Sequence, residues 1–135
     1  MVPHLQDLPA RPQEAPGRVL LAEDDAVLRE LVAEAMRDSG LTVIEVKSAD
    51  EARRYLQSGG RADLVFSDVE MPGSMDGVEF GRWLRRNYPE MGLILTSGTM
   101  AAGARELGQF IPKPYGIADA AAAARRMADA KRGND

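Results

Sequence analysis

From Arg18 onward the chain alternates between two rhythms: short, almost unbroken apolar runs, and longer stretches in which apolar residues recur every three or four positions. The run Arg18-Val-Leu-Leu-Ala22 predicts a buried strand. After it Leu28, Leu31, Val32, Ala35 and Met36 share one helical face until Ser39-Gly40 stops the helix. Positions 41–46, rich in β-branched residues, predict a second strand, and 49–57 a second helix closed by Ser58-Gly59-Gly60. Strand three spans 62–67 and ends at Asp68; helix three follows over about 78–87, after a loop with Pro72, Gly73 and Gly77. Positions 93–96 predict strand four, Phe110-Ile111 a short strand five, and 117–131 an Ala-rich last helix of high intrinsic propensity. No internal repeat of fixed period is present.

Strands that are apolar along nearly their whole length, with a helix after each, need a parallel sheet covered on both faces. Right-handed crossovers then give a doubly wound, five-stranded α/β domain. Residues 1–17 break this pattern with Pro3, Pro9, Pro12 and Pro16, and read as a flexible arm outside the core. The expected organisation is therefore an arm over 1–17, one domain over 18–132 and a disordered tail over 133–135.

Composition narrows the function classes. The 135 residues are enough for one domain, and 44% hydrophobic with 28% charged residues is ordinary for a globular protein. The longest apolar runs fall far short of the roughly 20 residues that span a bilayer, so no membrane association is expected. The start carries no signal-peptide pattern and there is no cysteine, which points to the cytoplasm. At net charge −4, with arginines scattered as Arg53-Arg54, Arg85-Arg86 and Arg125-Arg126, no basic stripe offers itself to nucleic acid.

In doubly wound sheets functional groups gather outside the carboxyl ends of the strands. Those ends carry Glu23 and Asp24 after strand one, Asp68 after strand three, Ser97 after strand four and Lys113 after strand five. Three carboxylates brought together would repel one another unless a cation neutralised them, and a hard divalent ion such as Mg²⁺ suits oxygen ligands of the Asp24 and Asp68 kind. Mg²⁺ beside Asp68 would offset charge developing as its carboxylate attacks phosphorus, with Lys113 and the Ser97 hydroxyl holding the other phosphoryl oxygens. Each residue also has a plainer reading. An acidic triplet caps helices, Asp68 and Ser97-Gly98 form turns, and a lysine is ordinarily a solvated charge. Their agreement on one edge favours chemistry.

The ordered set Val19-Leu-Leu-Ala-Glu-Asp-Asp25, Phe66-Ser-Asp-Val-Glu-Met-Pro72, Met75-Asp-Gly77, Leu95-Thr-Ser-Gly98 and Phe110-Ile-Pro-Lys-Pro114 resembles the receiver domains of two-component response regulators. The resemblance covers about residues 18–132. It implies a flavodoxin-like sheet of order 2-1-3-4-5, with Asp68 as phosphoacceptor and a histidine kinase or histidine phosphotransfer protein as donor. Glu23 and Asp24 correspond to the acidic pair, the Glu70 carbonyl to a backbone Mg²⁺ ligand, Lys113 to the invariant lysine, Ser97 to the switch hydroxyl and Phe110 to the switch aromatic. The Lys113-Pro114 bond is expected to be cis. Similar receivers dock the kinase through the first helix and the loop after the last strand, here Val27, Leu31 and Glu34 with Tyr115 and Gly116.

Four departures from the family pattern stand out. Glu23 replaces the commoner aspartate, Ser97 the commoner threonine, and the loop after Pro72 gains a residue. The interval from Ser97 to Lys113 is several residues short, so a short or mobile fourth helix is expected. The chain is then a signalling module rather than an enzyme, either a single-domain regulator or the receiver segment of a hybrid kinase. No output domain is expected in it, so a downstream protein target would read the signal; a monomer or weak homodimer fits. The enzymatic alternative is a toprim-like Mg²⁺-dependent phosphotransferase or nuclease using Glu23 and Asp68-Val-Glu70, which leaves Ser97 and Lys113 without a role. A binding module that is never phosphorylated is the third class. His4, Trp83 and the methionines read as arm, packing and filler residues, and the run 120–124 as either a partner face or a bland surface.

Overall fold

The computed structural model describes residues 16–99 and 101–132; the expected arm, apart from its last two residues, and the expected tail lie outside them. Five strands, β1 (Arg18–Ala22), β2 (Thr42–Val46), β3 (Leu64–Asp68), β4 (Gly92–Ser97) and β5 (Gln109–Pro112), form one parallel sheet in the order β2-β1-β3-β4-β5. This is the order that the resemblance implied. Helices α1 (Ala26–Asp38) and α5 (Ile117–Lys131) cover one face; α2 (Ala49–Gln57), α3 (Gly77–Asn87) and α4 (Ala104–Leu107) cover the other. No helix among the described residues is long and apolar enough to cross a membrane.

The unbroken apolar runs follow from burial on both faces. Because successive side chains point to opposite sides of a strand, Val19 and Leu21 join the α1/α5 core while Leu20 and Ala22 join the other. Leu64 and Phe66 are divided from Val65 in the same way, and Ile94 from Leu93 and Leu95. The Ala-rich stretch of α5 belongs to this packing. Ala120, Ala121, Ala123 and Ala124 are buried with Val32, Ala33 and Met36 of α1, so the run is a core face and neither a partner surface nor a bland one. Gly17 is buried as well, and its carbonyl accepts a 2.8 Å hydrogen bond from the Thr42 N–H.

The short interval after Ser97 reduces α4 to a single turn. Gly103 enters it at φ 85°, a left-handed backbone that favours glycine. From α3, Arg85 donates through Nε to the Leu107 carbonyl at 2.7 Å and through a terminal nitrogen to the Met91 carbonyl at 2.7 Å, tying α4 to the start of β4. The longer loop after Pro72 turns at Gly73, φ 113°, and is held to α2 where the Ser74 N–H and hydroxyl both donate to Asp50.

The start of α3 bears on the sheet edge directly. Asp76 and Glu79 form a reciprocal capping box, each accepting the other's backbone N–H at 2.9 Å. The next residue, Gly77, donates its N–H to the Val69 carbonyl at 2.9 Å. A methyl group there would stand 2.4 Å from the Asp68 carbonyl oxygen and 2.7 Å from the Val69 Cα, both backbone atoms. Gly77→Ala is therefore expected to lower the unfolding free energy by about 2 kcal/mol, as overpacking against backbone does. Urea titration checks this, and an unchanged midpoint would show that the helix start is free to move.

Candidate functional site

The parallel register sets the groups after each strand side by side. Ala22 pairs with Ser67, Asp68 with Thr96 and Ser97 with Pro112, so Glu23, Asp68 and Lys113 follow in line at one edge. Backbone bonds carry the alignment one step past the strands: the Val69 N–H donates to the Thr96 carbonyl and the Lys113 N–H to the Ser97 carbonyl, both at 2.8 Å. The peptide bond between Lys113 and Pro114 is cis, as expected.

The acidic triplet divides into three roles. Glu23 turns inward, 4% exposed, and accepts from Lys113 Nζ at 3.3 Å and from the Asp25 N–H at 3.1 Å. Asp24 stays exposed, with a carboxylate oxygen that lies within 4.8 Å of those of Glu23 and Asp68. Asp25 is the N-cap of α1, accepting from the backbone of Val27 and Leu28. Capping and chemistry thus fall to different residues of one triplet.

Asp68, 4% exposed, accepts from Lys113 Nζ at 2.9 Å through Oδ2. Its other oxygen, Oδ1, is buried and has no donor in hydrogen-bonding geometry. An unpaired buried carboxylate oxygen is costly. Burial is the main cause that pushes the Asp68 carboxyl above its usual range; Lys113 opposes it, the nearby Glu70 charge adds to it, and the Glu70 backbone N–H acts against it. Burial likewise raises Glu23, with the Asp68 charge in support and the Asp25 N–H and Lys113 against. Burial alone would lower Lys113, but its bonds and charge contacts with Asp68 and Glu23 outweigh that and hold it above its usual value. The edge therefore has more negative charge than one ammonium neutralises. Three acids whose carboxylate oxygens come within reach of one another, with Oδ1 of Asp68 unpaired, fit a hard divalent cation such as Mg²⁺.

Ser97, 1% exposed, is at the edge, and its hydroxyl is bonded to Glu70 and Thr99. It donates to Oε2 of Glu70, and it accepts from the Thr99 N–H at 3.1 Å. The Thr99 hydroxyl donates to the same Glu70 oxygen at 3.1 Å. Thr99 was not among the groups read from sequence as site side chains, and the Glu70 carboxylate was read as one only in the toprim-like alternative. A hydroxyl two residues after Ser97, placed to fold back in a turn, was the available signal.

Phe110 is half-buried beneath the Arg105 guanidinium, 4.8 Å from the ring centre. Tyr115 meets Phe66 edge to face at 6.0 Å, and burial, with the Glu23 charge, pushes its hydroxyl up to about 12. Val27 and Leu31 are 69% and 48% exposed, and Glu34 and Gly116 are exposed too. Two grooves flank the edge. One, about 730 Å³, is lined by Asp24, Glu70, Asp76, Arg82 and Thr99; the other, about 510 Å³, by Leu28, Gly98, Lys113, Pro114 and Tyr115.

Comparison with known proteins agrees with this arrangement. The profile described as response regulator receiver domain matches residues 19–125. Sensor kinase CckA of Brucella abortus is 37% identical over 116 residues, which are 81% of this chain and 12% of that kinase. The chain covers less than half the length of the first curated relatives it matches. Among solved structures, the receiver domain of a signal transduction histidine kinase from Syntrophus aciditrophicus is 28% identical, with TM-score 0.76 over 88% of this chain and 95% of that one. A CheY-like receiver domain protein from Methanospirillum hungatei has TM-score 0.78 at 19% identity, over 89% and 99% of the two chains, a likeness of fold.

The raised carboxyls set a pH dependence. Folded Glu23 and Asp68 keep their protons to higher pH than the unfolded chain does, so the folded state binds more protons in the window above 3.8 and 4.5. Stability must then fall as pH rises through that window. The raised Lys113 contributes stability that is present below 10.5 and lost only above it, so it leaves the acid window unaltered. Asp68→Asn is expected to raise the melting temperature of the metal-free protein by a few degrees at pH 7, with the gain vanishing near pH 4. Melting curves at the two pH values check this; a mutant less stable than wild type at pH 7 would mean that the bond from Lys113 outweighs the burial of the charge.

Proposed function

The chain belongs to the response regulator receiver domain family, and we propose on that ground that it accepts a phosphoryl group on Asp68, in the presence of Mg²⁺, from a phosphohistidine of a histidine kinase or histidine phosphotransfer protein. The observation that carries this reading is the Asp68 carboxylate, held by Lys113 at 2.9 Å through one oxygen and left unpaired at the other, inside a cluster of acids.

The reacting atoms would move simply. A carboxylate oxygen of Asp68 bonds phosphorus as the phosphorus–nitrogen bond of the donor breaks, and the imidazole nitrogen takes the electron pair. Asp24, Asp68 and the Glu70 carbonyl would hold Mg²⁺, which supplies positive charge beside the nucleophile and the transferred group. Glu23 keeps Lys113 at the edge, and Lys113 holds Asp68 in place and then balances the negative charge that arrives. The Ser97 hydroxyl, two strands from β1, is the group that would follow the phosphoryl oxygens, and Phe110 on β5 the ring that would respond. Arg105 rests on that ring, so its turning would be felt by α4. Signalling through protein contact, or return of the phosphoryl group into a relay, both use this surface.

Incubation with acetyl phosphate and Mg²⁺ tests the assignment. Mass spectrometry is expected to find one phosphoryl group, removable by hydroxylamine, and none after EDTA treatment. Asp68→Asn is expected to take up none, because an amide is a poor nucleophile. Full phosphorylation of that variant at another residue would reassign the acceptor.

Docking of the donor is assigned to Val27, Leu31 and Glu34 on α1 together with Tyr115 and Gly116, beside the groove formed by Leu28, Lys113 and Pro114. Two large apolar side chains open to solvent on one helix, next to the acceptor, support this choice. Val27→Glu is expected to slow transfer from a phosphorylated partner about tenfold, equivalent to about 1.4 kcal/mol of contact. Labelling by acetyl phosphate should persist. Equal loss with both donors would place the damage in the site.

A further inference from the structure

Glu70 makes contacts that a metal-ligating backbone carbonyl does not require. Its side chain is exposed, yet Oε2 accepts from the hydroxyl of Ser97, which is 1% exposed, and from that of Thr99. A hydroxyl has one proton to give. That of Ser97 is committed to the Glu70 carboxylate, while its oxygen accepts from the Thr99 N–H. Buried as it is, Ser97 cannot turn to bulk water, so its hydrogen bond can only be exchanged for another inside the protein.

We propose that the Glu70 carboxylate is a built-in competitor of the phosphoryl group: it holds the Ser97 hydroxyl as an anion would, and phosphorylation of Asp68 must displace it. The inference rests on Asp68 being the phosphoacceptor. It goes further by giving the side chain two residues later a positioning role that acts through Ser97.

The physical balance favours a latch that is closed without phosphate and opens with it. Both rivals for the hydroxyl are anions, so the exchange replaces one charge-assisted hydrogen bond by another. The Glu70 carboxylate is exposed and can return to water with little desolvation cost, by rotation of its own side chain. Thr99 lets go at the same moment, because both hydroxyls share one carboxylate oxygen. The end of β4 thereby becomes the element whose state reports on Asp68.

Beryllofluoride, a phosphoryl mimic that needs no donor, allows a test with the full chain at saturating Mg²⁺, read by ¹⁹F NMR. Glu70→Ala is expected to bind it about tenfold more tightly than wild type, because a charge-assisted bond no longer has to be broken. Glu70→Gln, which keeps an acceptor but loses the charge, should fall between. The deciding measurement is the same Glu70→Ala change made in Ser97→Ala, where the gain should shrink to less than about threefold, since the contested hydroxyl is gone. An undiminished gain in that background would show Glu70 acting only as a charge near Asp68 and would overturn the competition. Unchanged affinity in Glu70→Ala would overturn it too, while leaving the acceptor assignment standing. Failure of wild type to bind beryllofluoride at all would bring down both.

Discussion

Lys113 lies between two buried carboxylates, 2.9 Å from Asp68 and 3.3 Å from Glu23, and the sheet edge depends on that ammonium. Burial pushes both carboxyls upward, and Lys113 opposes that push on each of them. One positive charge cannot balance two acids and leave nothing over, with Asp24 and Glu70 also close. The remaining negative charge, and the unpaired oxygen of Asp68, are what a divalent cation and a phosphoryl group would resolve between them.

That charge arrangement is a product of register. A parallel sheet brings all its carboxyl ends to one side, and the order β2-β1-β3-β4-β5 puts β3 between β1 and β4. Glu23, Asp68 and Ser97 are therefore neighbours although 45 and 29 positions apart. Gly77 protects the arrangement from below, because the helix that follows Asp68 starts in backbone contact with it.

Beyond the edge the structure is tuned by small features. With α4 a single turn, the second face of β4 and β5 relies on Ala104, Leu107 and the Arg85 bonds to stay covered. Arg105 places a guanidinium on Phe110, so the ring and α4 are in direct contact.

The amino-acid sequence by itself determined the five strand and helix pairs, the parallel sheet and the acids at its edge, because burial on both faces writes unbroken apolar runs that end where the chemistry begins. Arg18–Ala22, Ala49–Gln57 and Ile117–Lys131 lie where the pattern put them, since Gly, Ser and capping residues mark those limits locally. Strand order was legible only through the ordered motifs, because no local pattern says which strands pair. Tertiary structure alone decided the direction of side chains whose partners are distant. It divided Glu23, Asp24 and Asp25 among a lysine, an exposed place within reach of the other acids and a helix cap, and it buried the Ala run of α5 against α1. It also turned Ser97 toward Glu70, with Thr99 beside it. Such choices are settled by which hydrogen-bonding groups and which surfaces the packed fold brings within reach, and spacing along the chain does not record them.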